Sequence, residues 1–191
     1  MRHLDTFNSY YLAFDKIKPE VSIENNKDKI VKYGNRNKNA VAIVVKDNID
    51  IIKYSKEKNI KITRLVDSNT FDSKASYEQV NNDYKEYKKV EKMLNNNNIN
   101  KNLCLISDNL LDICKENKKY LVEQSVILNN YNLANIKSSI NNGYIYFIND
   151  NVSVTDFKIF IRQVYYQDLD VVYLSSLISE ERDWFKSLFL I

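Results

Sequence analysis

From residue 39 onward, short apolar runs alternate with helix-period stretches, and this alternation restricts the fold more than any single motif does. Ala40 to Val45 is an apolar run, Ile49 to Lys58 a helical stretch and Ile60 to Val66 a second apolar run. Strand, helix and strand in that order make a βαβ unit, whose right-handed crossover lays both strands parallel in one sheet. The pattern continues with Leu103 to Ile106 as a strand, Leu110 to Asn117 as a short helix and Tyr120 to Leu128 as a strand. Asn132 to Asn141 then reads as a helix closed by Gly143, and Tyr144 to Ile148 as a strand. Val154 to Tyr166 reads as a helix opened by Ser153, with Asp156 three residues on. Val171 to Leu174 and a last helix through Trp184 complete the series. Such alternation predicts an α/β protein, either a doubly wound open sheet or a barrel with helices outside, and periodicity does not choose between them.

The best-marked helix is predicted from Ser76 to about Leu94. Ser76 stands three residues before Gln79, as in a capping box, and Tyr77, Val80, Tyr84, Tyr87, Val90 and Leu94 recur at helical spacing. Asn95-Asn96-Asn97-Asn98 closes it as a polar loop, because Asn tolerates left-handed backbone. With 191 residues, 44% of them hydrophobic, the chain supplies one substantial core. We read 39–191 as that domain. Residues 1–38, with Phe7, Tyr10, Tyr11 and Phe14 and then Val21-Ser22-Ile23-Glu24, read as a lead-in packed on it.

Several function classes fall away on composition. The 28 basic and 25 acidic residues are scattered, without the basic stripe that nucleic acid requires. Gly34 and Gly143 are the only glycines, so no GxGxxG or GxxxxGK[ST] loop exists to cradle a phosphate. The one histidine, His3, reads as exposed near the terminus rather than as a ligand, which excludes an ordinary histidine-ligated metalloenzyme. No run approaches the roughly 18 apolar residues of a membrane span. The first twenty residues, with Arg2, Asp5, Asp15, Lys16 and Lys18, do not resemble a signal peptide, so an extracytoplasmic address would need an anchor upstream. Cys104 and Cys114 lack CxxC spacing and are read as two buried thiols in preference to a disulfide or a metal pair.

Asn142-Gly143-Tyr144-Ile145-Tyr146-Phe147-Ile148-Asn149-Asp150-Asn151, a helix, and then Leu169-Asp170-Val171-Val172-Tyr173-Leu174-Ser175-Ser176-Leu177 resemble the closing segment of polysaccharide deacetylases of the NodB-homology type. There, a Gly-starting strand ends in His-Asp and a last strand leads into a Leu-Ser-x-Leu turn. Val41-Ala42-Ile43-Val44-Val45-Lys46-Asp47-Asn48 sits where the family has its first strand and Thr-Phe-Asp-Asp-Gly. Asn59-Ile60-Lys61-Ile62-Thr63-Arg64-Leu65-Val66 resembles the second strand, and Ser76-Tyr77-Glu78-Gln79-Val80 the helix start after the metal-binding histidines. The resemblance spans about residues 40–178. It implies a distorted, incomplete parallel (β/α) barrel with its site at the C-terminal strand ends.

The family's reaction uses a divalent metal held by one Asp and two His, a second Asp as base and a late His as acid. Carried over by position, the metal Asp corresponds to Asp47, the base to Lys46 and the late His to Asn149, beside Asp150. The HisxxxHis segment falls in Ser68 to Ala75, which has no histidine, and Leu105 to Asn109 lacks the Arg and Pro of the family's Arg-Pro-Pro loop. A lone carboxylate holds zinc poorly, and the Lys46 ammonium repels a cation at short range. The resemblance therefore implies a pseudoenzyme with no metal or cofactor, serving a protein partner in cell-envelope polysaccharide or peptidoglycan processing. The alternatives are a glycan-binding module and a hydrolase using another set, for which Lys46, Asp47 and Asp150 are the clustered candidates.

Plainer readings stand beside these. Asp47 and Asp150 are read as helix-capping carboxylates in preference to site remnants. Lys46 either fills the vacated metal position or points to solvent. The tyrosines can stack on sugar rings or sit half-buried, as Tyr77, Tyr84 and Tyr87 would on one helix face. Trp184, Phe185, Leu188, Phe189, Leu190 and Ile191 are either a partner-docking tail or a cover for the barrel bottom. If two ligands are missing, restoring the other positions should not restore chemistry. The double change Lys46→Asp, Asn149→His should release no acetate from an acetylated sugar; measurable release would show that the register is wrong.

Overall fold

The computed structural model describes residues 30–99, 101–130, 136 and 140–179. Strand β1 (Ala40–Val45) is buried along its whole length, as a continuous apolar run requires of a strand covered on both faces. Its alternate side chains enter two different cores. Val41, Ile43 and Val45 face helices α1 (Ile49–Glu57) and α4 (Val154–Tyr166), through Ile51 and Ile52 on the first and Phe157, Phe160, Ile161 and Val164 on the second. Ala40, Ala42 and Val44 face inward, onto Leu65, Val80, Leu103, Leu105, Val122 and Ile145.

The remaining strands are β2 (Thr63–Val66), β3 (Glu78–Asn81), β4 (Leu103–Leu105), β5 (Tyr120–Val122), β6 (Val126–Leu128), β7 (Ile145–Ile148) and β8 (Asp170–Val172). One sheet runs β3-β2-β1-β7-β6, and every pairing in it is parallel. β1 shares one edge between two partners. β8 pairs with it from Ala40↔Asp170 to Ala42↔Val172, and β2 at Val44↔Thr63 and Val45↔Arg64. β4 and β5 form a separate parallel pair. The barrel is therefore not closed: β3 is not paired to β4, nor β5 to β6.

Part of the lead-in lies against the seam beside β5. Val31 donates its N–H to the Leu121 carbonyl (2.9 Å) and accepts from the Glu123 N–H (2.8 Å), a parallel bridge opposite Val122. The chain then leaves β5, and the Ser125 N–H reaches the Ile145 carbonyl at 2.8 Å, which is why Tyr120 to Leu128 is two strands and not one. At the bottom, the Gly34 N–H donates to the Gly143 carbonyl and the Gly143 N–H to that of Ala40. Gly143 has φ +80°, and a Cβ there would lie 2.9 Å from the Gly34 oxygen, so only glycine fits. Residues 1–29, most of the predicted helix from Asn132 to Asn141, and the tail after Ser179 lie outside the described residues.

The helix predicted from Ser76 to Leu94 is the largest correction. Glu78–Asn81 is a strand in register with Thr63–Val66, and helix α2 begins only at Tyr87 (Tyr87–Asn96). The edge of β2 carries backbone donors and acceptors that must be satisfied once buried, and β3 supplies the partners. Helical spacing holds only where the helix exists, with Tyr87, Val90 and Leu94 buried on one face. The Asn run closes it as expected, Asn98 adopting φ 54°.

Cys104 and Cys114 are not free thiols. They are joined as a disulfide between β4 and the short helix α3 (Leu111–Glu116), whose packing brings their Cα atoms to 6.2 Å. A bridge closing so short a loop typically contributes about 2–4 kcal/mol. Helix α2 is tied to the same unit by the Lys119–Glu91 ion pair, whose side chains are only 5% and 13% exposed. Asn81 also donates to the Glu91 carboxylate, at 3.1 Å. Lys119→Met should therefore cost about 3–5 kcal/mol in urea unfolding, because the Glu91 charge would stay buried without its partner. A loss below about 1 kcal/mol would show that the pair is solvated.

Candidate functional site

The strands of the sheet are parallel, so their C-terminal ends gather on one side, and loops leaving them surround a groove of about 630 Å³. Leu65, Leu105 and Phe147 line its apolar part. One wall is the loop after β2 together with the segment from β3 to α2, and the other is the turn from β4 to α3.

Of the four positions singled out in the sequence, Lys46 alone lines the groove. Asp47 follows on the rim, with its Oδ2 3.9 Å from Lys46 Nζ and both side chains about half exposed. Asn149 and Asp150 leave the end of β7 beside them, since Val45 is the register partner of Ile148. The Asn149 side chain is turned back on its own loop, accepting the Asp150 N–H at 2.7 Å. The structure thus gathers all four at one end of the sheet and points one of them into the groove.

Neither aspartate caps a helix, contrary to expectation. α1 is capped by Asn48, whose Oδ1 accepts the Ile51 N–H, and α4 by Ser153, whose hydroxyl oxygen accepts the Asp156 N–H. Each cap is the residue directly preceding its helix, and both carboxylates stand earlier in their loops. Asn48 does more than cap. Its amide nitrogen donates to the Val152 carbonyl (2.9 Å) and the Asp150 carbonyl (3.3 Å), joining two rim loops separated by 104 positions. Sequence reasoning missed it, although an Asn directly before an amphipathic stretch is a readable capping signal.

Asp67 was also missed. It lies in the groove just before the segment that lacks histidines, and its Oδ1 accepts from the N–H groups of Asn69 and Thr70 and from the Thr70 hydroxyl, each at 2.9 Å. Burial pushes its carboxyl up, but these hydrogen bonds and the Lys46 charge outweigh that and hold it below the usual carboxylate range. Tyr84, which the sequence placed on a helix, sits 48% exposed in the groove wall. Below the rim, Glu78 is buried in the barrel. Its Oε2 accepts from the Thr63 hydroxyl (2.7 Å) and the Ser175 N–H (3.2 Å), at the start of helix α5 (Leu174–Ile178). Among the described residues, no three His, Cys, Asp or Glu side chains converge as a metal-binding group.

An open parallel β/α barrel with its groove at the strand ends is the polysaccharide-deacetylase fold, and this chain is built on it. A CE4 family pseudoenzyme from Bacillus anthracis matches with a TM-score of 0.66 at 15% identity, over 86% of this chain and 74% of that one. A family 4 carbohydrate esterase from the same organism matches at 0.57 and 15% identity, over 87% and 91%. PdaA of Bacillus subtilis, another family 4 carbohydrate esterase, matches at 0.55 and 10% identity, over 87% and 88%. No family model and no curated protein matches the sequence. The likeness is one of fold.

Because Asn48 is the buried pin of the rim, Asn48→Ala should lower unfolding stability by about 1–3 kcal/mol, the cost of leaving buried carbonyls and a helix N–H unpartnered. Chemical denaturation reads this directly, and an unchanged midpoint would mean that water replaces the amide.

Proposed function

We propose that this chain is a pseudoenzyme of the deacetylase fold, working by binding a protein partner in cell-envelope polysaccharide or peptidoglycan processing. The observation that carries the reading is the Lys46 ammonium, 3.9 Å from the carboxylate that the resemblance makes the metal ligand. Deacetylation in this family draws on a metal with one Asp and two His, and the whole chain contains one histidine. A positive charge at the rim opposes a divalent cation there. Asn149, in the place of the acid, carries an amide with no proton to give at neutral pH. A CE4 family pseudoenzyme among the structural neighbours supports the idea that the fold is kept without its chemistry. The disulfide supports the envelope setting, because such bridges persist in oxidising compartments.

A second reading, glycan binding, rests on the groove wall. Tyr84 offers a half-exposed ring beside Asn82 and, across the groove, Asn109 and Gln124, a mixture of aromatic face and amide that suits sugar rings. Titration with soluble peptidoglycan fragments separates the two.

The loss of metal chemistry is tested by thermal melting. Zinc, nickel or cobalt should leave the melting temperature unchanged, because only a ligand that binds the native state stabilises it by mass action. The metal-treated protein should also release no acetate from N-acetylglucosamine oligomers. A rise of several degrees with micromolar zinc, or acetate release, overturns the pseudoenzyme reading.

A further inference from the structure

The two walls of the groove are held by different means. On the β2 and β3 side, side chains fasten the loops: Asp67 to Asn69 and Thr70, Asp83 to the N–H groups of Ser68, Lys85 and Glu86, and Ser68 to the Glu86 carboxylate. The opposite wall is formed by Leu105, Ile106, Ser107 and Asn109. Among the described residues, the side chains of Ser107, Asp108 and Asn109 make no hydrogen bond. The turn is anchored at its entry by the Ile106 N–H on the Val122 carbonyl (2.8 Å) and continues into a helix of six residues. So short a helix has little stability of its own, and β4, on which it packs, is paired along one edge only, to β5, whose other edge carries just the Val31 bridge.

What closes this wall is covalent. Cys104 precedes the four wall residues, Cys114 follows them on α3, and the disulfide between them encloses all four. It packs in a small core of its own with Tyr87, Leu110 and Leu121, apart from the two main cores. We propose that the Cys104–Cys114 disulfide is the positioning element of the groove, so that the wall carrying Ser107 and Asn109 keeps its place only in the oxidised protein. This goes beyond the pseudoenzyme reading and stands on the groove alone, whatever occupies it.

Hydrogen exchange read by mass spectrometry tests it, on the full chain without ligand. Three samples are compared: the oxidised protein, the Cys104→Ala, Cys114→Ala double variant, and the native protein reduced by a water-soluble phosphine. That reduction takes up water, giving two thiols and the phosphine oxide. Within 106–111, the hydrogen-bonded amides of Ile106, Leu110 and Leu111 should exchange about tenfold faster or more in the variant and the reduced protein. Those of 41–45, 145–148 and the opposite wall at 67–70 should stay within about twofold of the oxidised protein. If the double variant fails to fold, the reduced native protein decides. Unchanged exchange at Ile106, Leu110 and Leu111, equal acceleration along the whole chain, or two free thiols in the native protein would each overturn the proposal. Failure here leaves the loss of metal chemistry standing, because that falls only on metal binding or acetate release; two free thiols would in addition remove the disulfide's support for an envelope setting.

Discussion

Burial of β1 on both faces is the constraint from which the rest of the molecule follows. A strand whose six residues are all buried must be covered on each side and paired along each edge, and it meets β7 on one edge and β8 with β2 on the other. Its small inward residues, Ala40 and Ala42, leave room at the barrel bottom for Leu174, Leu177 and Ile178 of α5. Its larger outward residues take the aromatic face of α4. The chain leaves the same strand through Lys46 and Asp47, so the element that organises the core also sets down charges of the rim.

That rim carries a different electrostatic problem from a metal centre. A metal site gathers carboxylates and imidazoles around a cation, whereas here the cation is a lysine side chain on a flexible stem, half exposed beside one carboxylate. The carboxylate that is well fixed, Asp67, is fixed by hydrogen bonds from its own turn. Beside Lys46 and Asp47 the order comes from neutral groups: Asn48 spans the two loops, and Ser153 caps the start of α4. A groove held in this way keeps its shape and polarity, which is what the proposed binding role would draw on.

The outcome at individual elements shows what patterning can and cannot convey. Val154 to Tyr166 was legible because cap and apolar stripe agree, with Ser153 bonded to Asp156 and Phe157, Phe160, Ile161 and Val164 buried at helical spacing. Ser76 to Tyr84 was misread because a mixed polar and aromatic segment satisfies a helical template by coincidence. Its strand identity comes from the open edge of β2, which no local pattern records. The cysteine pair is similar: a spacing of 10 says nothing about approach until α3 folds back on β4. Lys46 was found through the resemblance, whereas Asp67 was missed because an isolated Asp before a polar loop carries no periodic signal.

The sequence by itself determined the α/β class, the parallel order of the early strands, the position of the strand ends and the absence of a histidine ligand set, because each depends on residue type and local period. Only the tertiary structure decided that the barrel stays open, that Asn48 rather than Asp47 secures the rim, that the cysteines join, and which side chains meet across the groove. Those features depend on contacts between segments tens of residues apart, whose free energy is settled by packing and by the satisfaction of buried polar groups rather than by local pattern.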